Sequence, residues 1–374
     1  MVDAQSREIE LVLLLSLPAP RPEEVDRMLE LLNTALDWGQ VLGTLTVHRL
    51  LGVAWHNIAR YAMRHRQTLR SAYFVKSLKV NAAGQRITAQ EQIAGTAAVQ
   101  RALEGAGVRS AVLKGGAVAV MAYEDPGMRL FHDNDLLVDR ERLPEAVAVL
   151  ERLGYSQGSW DYETGAVKPA PRRQVMFMAL HSHQTFPYMK ATPEAAALEC
   201  HRLDIHFSID LMTGNRSDAA VAELLDGRTE RGGLSVAAPL DMILFTCVHY
   251  AREAAHRNEV LMLKDLVLNK LVDIVALVAA GYSGDLPARA QQLGFAREVY
   301  FGLHHADALF PGRIPADLLD RLRPDDLGYL DEVTDGGTVV HRWRTPISER
   351  MFDLGRLHEL GGELAIPVLG SVPR

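Results

Sequence analysis

The 374-residue chain has only two cysteines, Cys200 and Cys247, and neither belongs to a Cys-x-x-Cys pair. So few cysteines exclude a disulfide framework and are typical of the reducing cytoplasm. The chain also lacks a basic excess, because 40 Lys and Arg residues stand against 47 Asp and Glu residues, a net charge of −7. Nonspecific binding to long nucleic acid normally needs such an excess, so we do not expect it.

The sequence contains no hydrophobic run that is both long enough and free enough of charge for an ordinary membrane span. The apolar stretch 260–280 carries four charged residues, Lys264, Asp265, Lys270 and Asp273. The shorter run 11–17 follows Glu8 and Glu10, and acidic residues there are wrong for a signal peptide. We therefore expect a first helix at the N-terminus, a cytoplasmic location and no membrane partner.

The chain is longer than a single core usually grows, and its pattern changes along its length. Helical spacing dominates before residue 110 and again after about 216, whereas short apolar runs alternate with helices between them. We predict an α+β protein with four regions: an N-terminal helical region (1–109), a core (110–212), a C-terminal helical domain (213–334) and an irregular tail (335–374).

The core pattern predicts a mixed sheet with helices. It begins with a strand at 110–113, a helix at 117–123, a strand at 133–138 and a helix at 143–153. Three further strands are predicted after these, at 175–180, 183–189 and 198–209.

Carboxylates are the first chemical feature of this core. Asp133 and Asp135 lie two residues apart in a predicted strand, so they project to one side while Asn134 points away. Two adjacent carboxylates repel unless a cation neutralises them. With Asp204 from a neighbouring strand they would form a hard oxygen cage for one or two Mg²⁺ ions, which could activate a hydroxyl for phosphoryl displacement.

Paired glycines supply a second feature. Gly115 and Gly116 follow the first strand of the core and precede a helix, so the backbone can approach a triphosphate closely. Lys114 or Arg129 would add positive charge for the pyrophosphate leaving group.

These segments together resemble a known family. The matching motifs are Leu113-Lys114-Gly115, Tyr123, Pro126-Gly127-Met128-Arg129, Asp133-Asn134-Asp135-Leu136-Leu137-Val138, Gly154-Tyr155 and Asp204-Ile205-His206-Phe207. They resemble the DNA polymerase beta-like nucleotidyltransferase superfamily, and more closely a bacterial nucleotidyltransferase family. The resemblance extends over about residues 25–280. It implies a polymerase beta-like core and transfer of a nucleoside monophosphate (NMP) from a nucleoside triphosphate (NTP).

The resemblance also implies roles for single residues and cofactors. Asp133, Asp135 and Asp204 would be catalytic and would bind Mg²⁺ or Mn²⁺, with Asp204 helping to deprotonate the acceptor hydroxyl. ATP is the expected NTP. The nucleotide-binding residues would be Lys114, Gly115, Gly116 and Arg129.

Histidines are further candidates for the site. His206 shares a strand face with Asp204, so we expect it in the same cleft, in contact with substrate or supporting a ligand. His183 and His249 are weaker candidates for the same role. A zinc site that includes Cys200 and His201 is a minority interpretation, because ordinary hydrogen-bonded histidines are commoner.

The activity stays open between one main interpretation and two alternatives. An acidic chain with flanking helical regions favours a small molecule, a peptide or a protein, and a bacterial specialised metabolite is one candidate. The first alternative is a toxin-like enzyme that modifies tRNA, for which the basic segment 168–173 would serve. The second is a binding protein that keeps the fold without turnover.

Overall fold

The computed structural model describes residues 4–63, 72–209, 218–281 and 285–360. Contacts divide the chain into two compact units. One consists of Leu50–Phe245, and the second consists of Met1–Arg49 together with Thr246–Arg374.

The four regions predicted from the sequence have other bounds than these units. That the four predicted regions are independent domains stays a prediction. The predicted boundary at 212 and the predicted tail beyond residue 360 lie outside the described residues.

The α-helices of the described residues, in chain order, are α1 (Ala4–Ser16), α2 (Pro22–Leu32), α3 (Trp38–Val47), α4 (Leu51–Asn57), α5 (Ala72–Gly105), α6 (Lys114–Ala122), α7 (Leu143–Arg152), α8 (Arg172–His181), α9 (Asp218–Asp226), α10 (Pro239–Ala255), α11 (Arg257–Leu261), α12 (Asn269–Ala279), α13 (Leu286–Leu293), α14 (Ala296–Leu309), α15 (Ala316–Leu322) and α16 (Ile347–Arg350). A π-helix follows α4 at Ile58–Ala62, and short 3₁₀ turns lie at Pro126–Met128, Arg140–Arg142, Gly328–Asp331 and Leu354–Leu360. None of the helices within the described ranges combines the length and hydrophobicity that a bilayer crossing requires.

The strands are β1 (Ser110–Leu113), β2 (Asn134–Val138), β3 (Ser156–Asp161), β4 (Ala166–Pro169), β5 (Tyr188–Ala191), β6 (Cys200–His206), β7 (Thr229–Arg231), β8 (Leu234–Val236), β9 (Glu332–Asp335) and β10 (Thr338–Arg342). The unit 50–245 contains one sheet in the order β4-β3-β5-β6-β2-β1-β8-β7. The pairs β2–β6 and β1–β8 are parallel and the other pairs are antiparallel, so the sheet is mixed as predicted.

The long helix α5 covers one face of this sheet. Its buried residues recur at alternating steps of four and three along most of its length: Leu78, Ala82, Gln85, Ala89, Gln92, Thr96, Val99 and Leu103. Such a narrow stripe is what a helix shows when it lies along a single surface. Ala89 of α5 packs with Ala119 of α6 and with Phe131, so α6 lies on the same face.

The other unit is mainly helical. Helix α12 is buried along almost its whole length and packs against α14. The small sheet β9–β10 contributes to a separate apolar cluster of Val260, Val333, Trp343 and Leu357.

Several predicted elements are confirmed and others are wrong. Helix α2 lies in the region of predicted helical spacing; Pro22 starts it and Glu24 accepts from the backbone N–H of Arg21. The strand predicted at 175–180 is instead part of α8. A continuous apolar run of this length does not distinguish strand from helix, and its Met, Ala and Leu residues favour helix.

Two hairpins of the large sheet are not among the predicted strands. β3–β4 lies at one sheet edge, where its residues are mostly polar and partly exposed, and β7–β8 forms the other edge with strands of three residues. Short or polar edge strands carry little hydrophobic alternation, so the sequence does not reveal them.

Helix α5 packs closely against β6 at Gly95. A Cβ added to Gly95 of α5 would lie 2.7 Å from the ring of the buried His201. We expect Gly95→Ala to lower the free energy of unfolding by about 1–3 kcal/mol, measured as a shift in the urea midpoint.

Gly84→Ala is the matched control on the same helix, because a Cβ there would meet nothing within 4 Å. This change should raise stability by about 0.5–1 kcal/mol through better helix propensity. Equal effects of the two substitutions would contradict the described packing of α5.

Candidate functional site

The candidate site is built on the parallel strands β2 and β6. Their register places Asp135 directly beside Asp204. Paired residues of neighbouring strands project to the same face of a sheet, so the two carboxylates lie side by side. Both side chains are buried, at 3% and 5% exposure. The predicted position of Asp204, on the strand next to residues 133–138, is confirmed, while its chemical role stays a prediction.

Asp135 receives two donors on one oxygen. Strand β1 ends at Leu113 opposite Asp135, and Lys114 then adopts a left-handed backbone with φ of 47°. Lys114 Nζ lies 2.7 Å from Asp135 Oδ1, and His206 Nε2 lies 2.7 Å from the same oxygen. Burial alone would raise the pKa of Asp135, but the Lys114 charge and the His206 hydrogen bond hold that pKa well below its usual range.

Asp204 is neutralised by a different cation. Arg202 donates from Nη2 to Oδ2 at 2.8 Å and from Nε to Oδ1 at 3.1 Å, a two-point pair. Burial raises the pKa of Asp204 to about 6; Arg202 opposes this rise, and the charges of Asp133 and Asp135 add to it. Three carboxylates therefore influence one another here.

Arg202 is not among the residues predicted from the sequence. The signal that could have found it is the alternation Arg202, Asp204, His206 along β6, which puts all three side chains on one face.

Asp133 and Asn134 diverge at the start of β2. Asp133 is half-buried, and its charge helps to raise the pKa of both Arg202 and Asp204. Asn134 points away as predicted, because its Nδ2 donates to Gln92 Oε1 at 2.6 Å.

The face behind the carboxylates carries a buried hydrogen-bond network centred on His201. Its Nδ1 lies 2.8 Å from Tyr155 Oη, and its Nε2 lies 3.1 Å from the backbone oxygen of Gln92 and 3.2 Å from Thr96 Oγ1. Burial lowers the pKa of His201 to about 4, which keeps the ring neutral at neutral pH. His201 and His206 face opposite sides of β6, so the two rings cannot share one zinc ion.

Gly115 and Gly116 lie inside the first turn of α6 rather than in a loop before it. Both are buried, and a Cβ on Gly115 would lie 2.8 Å from Phe131 Cβ and 3.2 Å from Arg129 Nη1. Close packing is thus one reason for glycine at 115, and phosphate binding by this turn stays a prediction. Arg129 lies beside the same turn, whose backbone N–H groups start a helix and favour an anion.

The predicted histidines differ in their placement. His206 is fully buried rather than exposed in a cleft, but its hydrogen bond to Asp135 agrees with the predicted supporting role, which stays a prediction. The ring centroid of His183 lies 5.2 Å from that of His206, and that of Phe245 lies 6.1 Å away, which explains the burial. His249 belongs to the other unit, where its Nδ1 lies 3.1 Å from Glu253 Oε2.

The carboxylates suit a hard divalent cation by type but are already paired. Asp133, Asp135 and Asp204 supply the oxygen ligands that Mg²⁺ and Mn²⁺ prefer, and they exceed the cations Lys114 and Arg202 by one charge. Over the parts of the chain that the structure describes, no group of three or more His, Cys, Asp or Glu side chains is arranged to hold a metal ion. Binding through Asp135 Oδ1 would therefore require Lys114 to yield its place.

Comparison with known proteins identifies the family of the chain. None of the curated proteins compared with the chain matches it. A family model described as "uncharacterised nucleotidyltransferase" matches residues 34–311, most of the chain, and this range includes Lys114, Asp135 and Asp204. The chain therefore belongs to this nucleotidyltransferase family, as the motifs around its carboxylates predict.

Proposed function

We propose that the protein transfers an NMP from an NTP, with ATP as the expected donor, to an acceptor hydroxyl and releases pyrophosphate. One observation carries the proposal: Asp135 of β2 and Asp204 of β6 are buried side by side. Asp135 also lies opposite Leu113, the last residue of β1, after which α6 begins. The family supports nucleotidyl transfer in general, whereas the donor, the metal and the acceptor are parts of the proposal.

Separate residues would bind the leaving phosphates and accept the proton of the acceptor hydroxyl. The first turn of α6, with Lys114 and Arg129, would bind the β- and γ-phosphates and stabilise the leaving pyrophosphate. The acceptor oxygen would form a bond to the α-phosphorus, and the bond from that phosphorus to the β-phosphate oxygen would break. The hydroxyl proton would pass to the carboxylate of Asp204.

Asp133, Asp135 and Asp204 would hold Mg²⁺ or Mn²⁺. When bound, such an ion neutralises phosphate charge and lowers the pKa of the attacking hydroxyl. We propose that Lys114 leaves Asp135 for the phosphates when the metal–NTP complex binds. Its ammonium is a compact charge on a flexible stem, which suits exchange between two anions.

The acceptor is proposed to be a small molecule, a peptide or a protein. The net charge of −7 supports this choice over long nucleic acid. A bacterial origin, a polymerase beta-like ancestry and a specialised-metabolite acceptor are proposals that rest on the resemblance of the motifs.

The tRNA-modifying alternative needs a basic surface beside Asp133. Lys168 of the basic segment lies on the edge strand β4, four strand positions from β2, which is roughly 19 Å at the usual strand spacing. We therefore rank this alternative below a small acceptor.

A silent binding protein is the second candidate, and a specific observation favours it. Asp135 and Asp204 already have internal cationic partners, Lys114 and Arg202. A site that never bound metal would show the same pairs. Enzyme and binding protein are separated by a direct assay of turnover.

The assay is incubation of the full chain with Mg²⁺, each α-labelled NTP and a cell extract, followed by a search for labelled product and pyrophosphate. Asp133→Asn should lower transfer at least ~10³-fold, because a ligand charge is lost. Its urea midpoint should change little, since Asp133 is only half-buried.

Asp139→Asn is the matched control for this substitution, because Asp139 follows the other end of β2 and is also half-buried. It should retain transfer within about threefold. Equal loss in both variants, or no transfer by the unaltered chain with any NTP, would favour the silent binding protein.

Replacement of Lys114 tests the proposed exchange of cations. Without its ammonium, Asp135 loses a competing cation, so Lys114→Met should tighten Mn²⁺ binding about threefold or more, measured by electron paramagnetic resonance. The same change should weaken ATP binding about tenfold in calorimetry, because a phosphate contact is lost.

Lys168→Met, at the exposed edge of the sheet, should leave both affinities unchanged. Weaker Mn²⁺ binding by Lys114→Met would show that the lysine supports the carboxylates instead of competing for them.

A further inference from the structure

A cavity of about 410 Å³ lies within the unit 50–245, apart from the paired carboxylates. It is open to solvent on one side and is bordered by α4, the π-helix, α5 and the turn that begins at Pro126. Its walls include Trp55, Arg60, Arg86, Glu124, Gly127 and Met128. This volume matches a small organic molecule of one or two rings.

Two arginines of the cavity wall, Arg60 and Arg86, are each paired with a carboxylate. Arg60 Nη1 lies 2.6 and 2.8 Å from the two carboxylate oxygens of Glu124, and Arg86 Nη2 lies 2.5 Å from Asp125 Oδ2. The Glu124 side chain is 64% exposed, so its pair with Arg60 adds little stability. A ligand carboxylate or phosphate could take the place of Glu124 at low cost.

The secondary structure of the cavity wall is unusual. The π-helix Ile58–Ala62 places Ala59 and Arg60 in the wall, and π segments are rare and often occur at functional sites. Gln85 of α5 is 8% exposed and lies behind this wall, where α4 packs closely at Gly52 against the backbone of Gly127 and Met128.

One short turn separates the cavity from the candidate nucleotide site. Gly127 lines the cavity, and two residues later Arg129 reaches the first turn of α6 beside Gly115. A molecule bound in the cavity would therefore lie on the other side of this turn from the proposed phosphates.

We propose that this cavity binds an aromatic molecule that carries one anionic group, with its ring on Trp55 and its anion between Arg60 and Arg86. An aromatic ring and a planar guanidinium pair select such a ligand, because stacking and two-point hydrogen bonding act together. Its further role as the acceptor rests on the proposed function.

The probe is 4-hydroxybenzoate, titrated by saturation-transfer NMR into the full chain without NTP or metal. A ligand of this size should bind with a Kd on the order of 1 mM. 4-Hydroxyphenyl phosphate tests the other anion, and whichever binds more tightly identifies it. Neutral 4-hydroxybenzamide and aliphatic glycolate should each bind at least about tenfold more weakly.

Glu124→Gln is the most informative variant, because it removes the internal anion that competes for Arg60. It should tighten 4-hydroxybenzoate binding about threefold or more, whereas Trp55→Ala and Arg60→Gln should weaken it about tenfold. Trp160→Ala and Arg173→Gln, on β3 and α8, are matched controls that should change nothing. A gain in affinity cannot result from misfolding.

Three outcomes would overturn the proposal: no binding of either anion, equal binding of 4-hydroxybenzoate and the neutral amide, or no gain in Glu124→Gln. Asp133→Asn should bind the probe as the unaltered chain does. If the probe binds but no NMP is transferred to any acceptor, the proposed function fails and the cavity site stands; the reverse result rejects the cavity alone.

Discussion

Two carboxylates buried side by side must be neutralised, and the candidate site depends on how this protein does so. Desolvation and mutual repulsion both oppose ionisation of Asp135 and Asp204. The chain supplies a flexible cation, Lys114, to one carboxylate and a two-point guanidinium, Arg202, to the other. The two cations therefore differ in role: Lys114 can exchange its anionic partner, whereas Arg202 holds Asp204 in place.

The arrangement also depends on what lies behind the sheet. Asn134 is fixed from the opposite face by Gln92 of α5, and His201 bonds to Tyr155 and to the same helix. These buried bonds hold β2 and β6 in the register that sets Asp135 beside Asp204. A change far from the carboxylates, such as one at Gly95, can therefore alter the site through strand position.

The sequence was most informative where spacing has a single structural meaning. A step of two along a strand assigned Asp133 and Asp135 to one side and Asn134 to the other, and the motif as a whole indicated the family. Long-range pairing is not contained in such spacing. That Lys114 reaches Asp135 depends on the β1–β2 register and on a left-handed backbone at 114. The burial of His206 likewise depends on Phe245 and His183, which lie far from it in sequence.

In the proposed function, Lys114 exchanges its partner when the NTP and metal bind. A crystal structure with Mg²⁺ and a non-hydrolysable ATP analogue tests this directly. We expect phosphates at the first turn of α6, a metal on Asp135, and Lys114 Nζ moved from Asp135 Oδ1 to a phosphate oxygen. A Lys114–Asp135 contact that stays at 2.7 Å while the analogue binds elsewhere would contradict it.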